Sequence, residues 1–194
     1  KAGGSIFYWT ISIFEDKAGF EAAVSCRKGG SSPAPFDTLN MSFSAGDNPE
    51  HVSDNRKRFL QLLGIPSDQI ISCHQVHGIH LEQVGAEYCG RGALDPDDAL
   101  PACDGLLTNE SNVPLTMNLQ TVCRWCFMIR SACAALSHGG WRGTAGNIAG
   151  RTVKRMQEVF GSIPGNILAA EGPAIGLPVL RSERMCGKLL YVSF

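Results

Sequence analysis

The sequence predicts an α/β fold: a single layered domain over residues 1–194, with a mixed sheet and flanking helices. Three observations carry this. Two segments repeat apolar residues at helical spacing, and short apolar runs of strand length stand before, between and after them. At 194 residues the chain is long enough to enclose one proper core.

The elements follow in order. Ile6 to Phe14 is locally apolar, but it holds Trp9, Thr10 and Ser12, and no small-residue cleavage site follows. It reads as a strand near the N-terminus rather than a signal peptide. Cys26 to Pro35 is a turn-rich loop with two cations, Arg27 and Lys28. Asp47 to Gly64 reads as a helix, with Val52, Phe59, Leu60 and Leu63 on one face and Gly64 as the stop. Ile70 to His77 reads as a strand, Gly78 as a turn, and Leu81 to Val84 as a short strand. Gly85 to Pro101 is a polar loop. Gly105–Thr108, Pro114–Leu119 and Ala134–Ser137 read as strands. The clearest helix runs from about Ala145 to Phe160. Its stripe is Ala145, Ile148, Ala149, Thr152, Val153, Met156, Val159 and Phe160, and Gly161 ends it. A strand at Ile167 to Ala170 and a turn at Gly172 to Gly176 follow.

A net charge of −1 gives no support for a nucleic-acid or acidic-membrane partner, and no apolar run is long enough to span a bilayer. The eight cysteines read as reduced thiols of a cytoplasmic protein. Cys123-x-x-Cys126 has no second pair at zinc-ribbon spacing, so it is a weak metal signal.

His77 and His138 each end a short apolar run beside glycine. Taken alone, each reads as a hydrogen-bonded structural residue; taken together, they suggest one shared site. His74 and His80, three residues either side of His77, are expected to point away from it. The run His138-Gly139-Gly140-Trp141-Arg142-Gly143-Thr144 leads into the predicted second helix. A helix start offers free amides and partial positive charge, so this is either an anion site with Arg142 as a clamp or a plain tight turn. Two histidines and one cysteine would suit zinc with an open position, or copper.

The chain resembles the laccase-domain family, whose members are named polyphenol oxidases or purine nucleoside phosphorylases. The matching residues include Arg27-x-Gly29-Gly30-x-Ser32, Leu39-Asn40, Gly46-Asp47-x-Pro49-Glu50-x-Val52 and Asn55-Arg56. They continue with Gln75-Val76-His77-Gly78, Asp104-Gly105-Leu106-Leu107-Thr108, the His138 to Thr144 run and Gly172-Pro173-Ala174-Ile175-Gly176. The resemblance implies a laccase-domain, cytotoxic-necrotizing-factor-like fold and a metal held by His77, a cysteine and His138. It implies zinc, with copper as the alternative. Its small-molecule substrates would be a purine nucleoside and phosphate, met by Arg27, Asn40, Gln75, Arg142, Gly143 and Thr144. Adenosine deamination is a related activity of such a site. Copper-dependent oxidation of phenols is the second reading, and an inactive family member the third. A standard four-copper centre needs many paired histidines, and this chain has five with no His-x-His pair.

The family's Ala-Asp-Cys motif is missing. Its place holds Gln120-Thr121-Val122-Cys123, so Cys123, or else Cys126, is the candidate third ligand. A one-base shift of reading frame across Leu119 to Arg130, with suitable codons, spells Ala-Asp-Cys-Val-Pro-Leu-Val-Phe-Tyr-Asp-Pro. A similar shift at Val179 to Glu183 spells Cys-Tyr-Glu-Val. Small insertions or deletions near Leu119, Ala134 and Gly176 are therefore expected in the source DNA. Residues 177–194 form an atypical tail, expected to leave part of the core uncovered.

Overall fold

The computed structural model describes residues 2–3, 6–17, 19–119, 123–129, 133–172 and 188–193; for residues 2–3, 119, 123–129 and 188–193 it describes the backbone. The expected α/β layering with a mixed sheet and flanking helices is present, and the described strands form two five-stranded sheets. The first contains β1 (Ala2–Gly3), β2 (Ile6–Thr10), β3 (Glu21–Ser25), β10 (Lys188–Ser193) and β6 (Leu115–Leu119), in that spatial order and antiparallel throughout. The second contains β4 (Leu81–Gln83), β5 (Gly105–Thr108), β8 (Cys133–Gly139), β7 (Cys123–Ile129) and β9 (Ile167–Glu171), again in spatial order. It is mixed: β4 and β5 run parallel and the other pairs antiparallel.

Period-two alternation sorts the strand residues into layers. Ala22 and Val24 of β3, Leu106 of β5, and Ala134 and Leu136 of β8 join Phe14, Phe20, Leu115 and Met117 in one buried cluster between the sheets. Their neighbours face outward. Ala23 packs with Phe59 and Leu60 under helix α2 (Pro49–Leu62), whereas Leu107 and Ala135 pack with Met156 under helix α4 (Ile148–Phe160). The order of layers is therefore helix, sheet, sheet, helix.

Helix α2 starts where the sequence places it. Asn48 caps the Glu50 amide at 3.0 Å, Pro49 fills the first helical position, and Gly64 follows the end at φ 72°. Its buried stripe is Val52, Asn55, Arg56, Phe59 and Leu60, so two polar residues occupy core positions. The second predicted helix is present but starts three residues later than expected, and a separate short helix precedes it. Trp141–Ala145 form the short α3, and the chain breaks at Gly146 and Asn147 before α4 begins. Asn147 adopts φ 56° and its side chain accepts the Gly150 amide at 3.2 Å, which caps α4. Ala145 is exposed and belongs to the first piece.

Other expectations need correction. The apolar stretch at the N-terminus is β2 followed by a four-residue helix, α1 (Ser12–Glu15), and β3 was not read from the sequence. Ile70 to His77 is not a regular strand: Ile71 and Cys73 make single bridges to Leu115 and Leu100, after which the chain leaves the sheet. The tail supplies β10, which lies between β3 and β6 in the first sheet. The unusual segment around Cys123 forms β7, paired on both sides. Of the residues concerned by the expected frame changes, 120–122, 130–132 and 173–187 lie outside the described residues, and the structure of the rest does not test the reading of the source DNA.

Candidate active site

Asp104 organises the site. It sits at the start of β5, fully buried, and its carboxylate accepts the backbone amides of Val76, His77 and Gly78 at 3.3, 2.9 and 2.7 Å. Three successive amides on one carboxylate fix a tight bend. That bend holds His77 at φ 60°, a left-handed conformation that costs a non-glycine residue about 1–2 kcal/mol. Asp104 Oδ1 also meets His138 Nδ1 at 2.8 Å, and the Asp104 carbonyl accepts the His138 amide at 2.7 Å. Burial pushes the Asp104 carboxyl up, but the bonds to His138, Gly78 and His77 outweigh it and hold the group below its ordinary value. Asp104 is therefore ionised, which places the His138 proton on Nδ1 and makes Nε2 the ligand-capable nitrogen.

One carboxylate thus positions both histidines. Their ring centroids are 4.7 Å apart at an interplanar angle of 62°. His138, on β8, is buried; His77 is exposed. Gly140 keeps the space between them, since a Cβ there would stand 2.7 Å from His77 Nδ1. Both rings line a cavity of about 280 Å³, together with Gln75, His74, Asn118, Cys73, Phe43, Ser44 and Arg56. Gln75 is held on this wall by the Asn118 amide, which donates to its Oε1 at 3.0 Å. The Cys73 thiol is pushed well up by its hydrogen bond with Cys103 and by burial, so it stays protonated and is a poor nucleophile.

Of the residues singled out in the sequence, the structure brings His77, His138 and Gln75 to the cavity. His74 lines it too, against expectation, whereas His80 is exposed and pairs with Glu82 at 3.0 Å. Cys123 pairs in register with Gly139, one position from His138, and its side chain lies outside the description. Among the described residues no group of three metal-binding side chains is assembled; the structure brings two candidate ligands together, His77 and His138.

The expected phosphate residues lie elsewhere. Arg27 is exposed and bound to its own loop, through the Asp37 carbonyl at 2.6 Å and the Asp37 carboxylate at 3.7 Å. Asn40 is fully buried, donating to Asp47 at 3.0 Å and to the Ser42 carbonyl at 3.2 Å. Arg142 is exposed over the Trp141 ring, 4.6 Å from its centroid. Gly143 and Thr144 lie inside α3 rather than before a long helix. A Cβ at Gly143 would stand 3.0 Å from both the Gly78 and His138 carbonyls, so this glycine permits close packing beneath the site.

Asp104 and Arg56 were missed as site residues. Arg56 had a readable signal: a cation on the apolar stripe of α2. Asp104 opens one of the motifs that match the family, but its role was hidden because its partners lie 26 to 34 residues away in sequence.

The structure thus joins a two-sheet α/β layered fold to a carboxylate-bound histidine pair on the wall of a cavity. The chain belongs to the family described as multi-copper polyphenol oxidoreductase laccase, whose model matches residues 21–180. It is similar to purine nucleoside phosphorylase YlmD of Geobacillus stearothermophilus, 39% identical over 160 residues, covering 82% of this chain and 58% of that protein. It is also similar to purine nucleoside phosphorylase YfiH of Escherichia coli, 34% identical over 159 residues, covering 81% and 60%. The crystal structure of the Geobacillus protein superposes with a TM-score of 0.80, over 82% of this chain and 59% of that one. That of the Bacillus licheniformis hypothetical protein YfiH gives 0.83 at 31% identity, over 90% and 64%. The chain therefore spans less than two thirds of the length of these relatives. No described helix is long and apolar enough to cross a membrane.

Proposed function

We propose that this chain carries the active centre of a metal-dependent purine nucleoside phosphorylase, with zinc held by His77, Cys123 and His138. One observation carries the reading: two histidines oriented by one buried carboxylate on the wall of a cavity of about 280 Å³. The names of the relatives in Geobacillus and Escherichia coli point the same way. A carboxylate bound to the far nitrogen of a histidine is a common second partner of a metal ligand, and it raises the basicity of the ring.

Bound there, zinc would supply Lewis acidity to an oxygen of the substrate or of water. The protein's own share is positioning. Asp104 holds the His138 tautomer and the His77 bend, and Gln75 presents a side-chain amide at the cavity wall. In phosphorolysis an oxygen of inorganic phosphate bonds to the anomeric carbon of the ribose. The bond to the purine breaks, and the base leaves with a proton.

The test is direct. Metal-loaded protein is given inosine or adenosine with phosphate, and ribose-1-phosphate is measured. Its formation, dependent on phosphate and lost in His138→Ala, is the expected result. Fully metal-loaded protein that releases no base in the presence of phosphate rules the reading out. The family's description favours copper-dependent phenol oxidation as a second reading, for which the same preparation is assayed with copper and a phenolic dye.

A further inference from the structure

Arg56 is an unusual residue for a helix core. It is 1% exposed and stands between Val52 and Phe59 on the buried face of α2. Its Nε donates to the Met41 carbonyl at 2.9 Å, and its Nη1 donates to the Gly92 and Ala93 carbonyls at 2.7 and 2.8 Å. The guanidinium carbon lies 4.5 Å from the centroid of the Phe43 ring. Among the described residues no carboxylate pairs with it, whereas Arg27, Arg58, Arg91 and Arg155 each have one. Nη2 makes no hydrogen bond to any described residue. Burial lowers its pKa to about 10, so at neutral pH the group remains charged.

Carbonyl oxygens satisfy donors, but they do not neutralise a buried charge, and an unpaired buried charge is expensive. This one lines the same cavity as His77 and His138. Nε and both protons of Nη1 are taken by carbonyls, which leaves the two Nη2 protons to meet a tetrahedral oxyanion, and the low-dielectric wall strengthens such a charge-assisted bond. We infer that Arg56 is the anion-binding residue of this cavity and that inorganic phosphate is its ligand, held by Nη2 in the cavity that the paired histidines also line.

A purely structural strut is the competing role, because Arg56 ties three carbonyls together. The two differ in what phosphate does. The inference moves the expected anion site from Arg142, which is exposed and absent from the cavity lining, to Arg56. Calling the anion a cosubstrate rests on the phosphorolysis reading; its binding at Arg56 does not.

Titration with inorganic phosphate by calorimetry separates the roles. Wild type and Arg142→Ala are expected to bind alike, and Arg56→Lys to bind at least tenfold more weakly. Equal affinity in Arg56→Lys, or loss in Arg142→Ala, overturns the assignment. Should Arg56→Lys fail to fold, wild-type crystals soaked in selenate decide. An anomalous peak within hydrogen-bond distance of Arg56 Nη2 supports it; a peak at Arg142, or none in the cavity, refutes it. Phosphate bound at Arg56 without ribose-1-phosphate leaves the anion site standing and removes phosphorolysis. Undiminished phosphorolysis in Arg56→Lys does the reverse.

Discussion

Two buried aspartates organise two regions of this molecule, and their partners separate scaffold from site. Asp47 accepts the Ser32 hydroxyl at 2.6 Å, the Asn40 amide at 3.0 Å and the Asn48 backbone amide at 2.8 Å. Asn55 extends this network to Ser32, the Asn40 carbonyl and the Ser31 amide. The result locks the Arg27–Asn40 loop onto α2, with His51 at its rim 3.6 Å from Asp47. Asp104 accepts a similar number of bonds, but one partner is an imidazole that opens onto a cavity. The same acceptor chemistry serves packing in one place and orientation of a cavity-lining imidazole in the other.

Substitutions at the two aspartates should therefore fail differently. Asp104→Asn is expected to have the largest effect. It removes the charge and leaves one acceptor oxygen where two are used, so an NH2 donor faces either the bend amides or His138 Nδ1, and metal affinity should fall by about 10–100-fold. Metal titration and the phosphorolysis assay check it, and wild-type metal affinity would break the comparison. Asp47→Asn should instead lower stability by about 1.5–3 kcal/mol, the worth of hydrogen bonds to a charged acceptor, while folded molecules keep their activity.

The Asp47 effect carries a pH signature. Burial pushes its carboxyl up, but the bonds from Ser32, Asn40 and Asn48 outweigh burial and leave it below its ordinary value. A carboxyl depressed by folding stabilises the native state above its unfolded pKa of about 3.9, and this stabilisation is lost as pH falls through the folded value. The stability gap between wild type and Asp47→Asn should be constant from pH 7 to 5 and shrink below pH 4. Urea unfolding across that range reads it, and a gap that widens on acidification contradicts it.

Gly140→Ala sharpens the contrast at smaller scale. Its Cβ would stand 2.7 Å from His77 Nδ1, so His77 must shift. A displacement approaching 1 Å at a reacting group costs up to about 100-fold in rate, which kcat for base release would show without a matching loss of Tm. Arg142→Ala should do least. The side chain is exposed on Trp141, and a change within about 0.5 kcal/mol is expected in thermal unfolding.

Much of this was legible in the sequence because it is local. Helix α2 announces itself through Asn48, Pro49 and Gly64, and the α4 stripe through its 3.6-residue repeat. The meeting of His77 and His138 was readable from two glycine-flanked strand ends. The left-handed bend at His77 was not, because it depends on Asp104, 27 residues away. The break at Asn147 was hidden because Ala145 continues the apolar period across it. The division into two sheets was equally hidden, since the short strands show which residues alternate but not which strands pair. Arg56 is legible as a cation on a core stripe, whereas Arg142, which the glycines before it make prominent in the sequence, faces solvent.

The most direct test is ribose-1-phosphate formation from inosine and phosphate by metal-loaded wild type, His77→Ala and His138→Ala, side by side. The account predicts turnover by the wild type and its collapse in both variants. Turnover at the wild-type rate in either variant would contradict it.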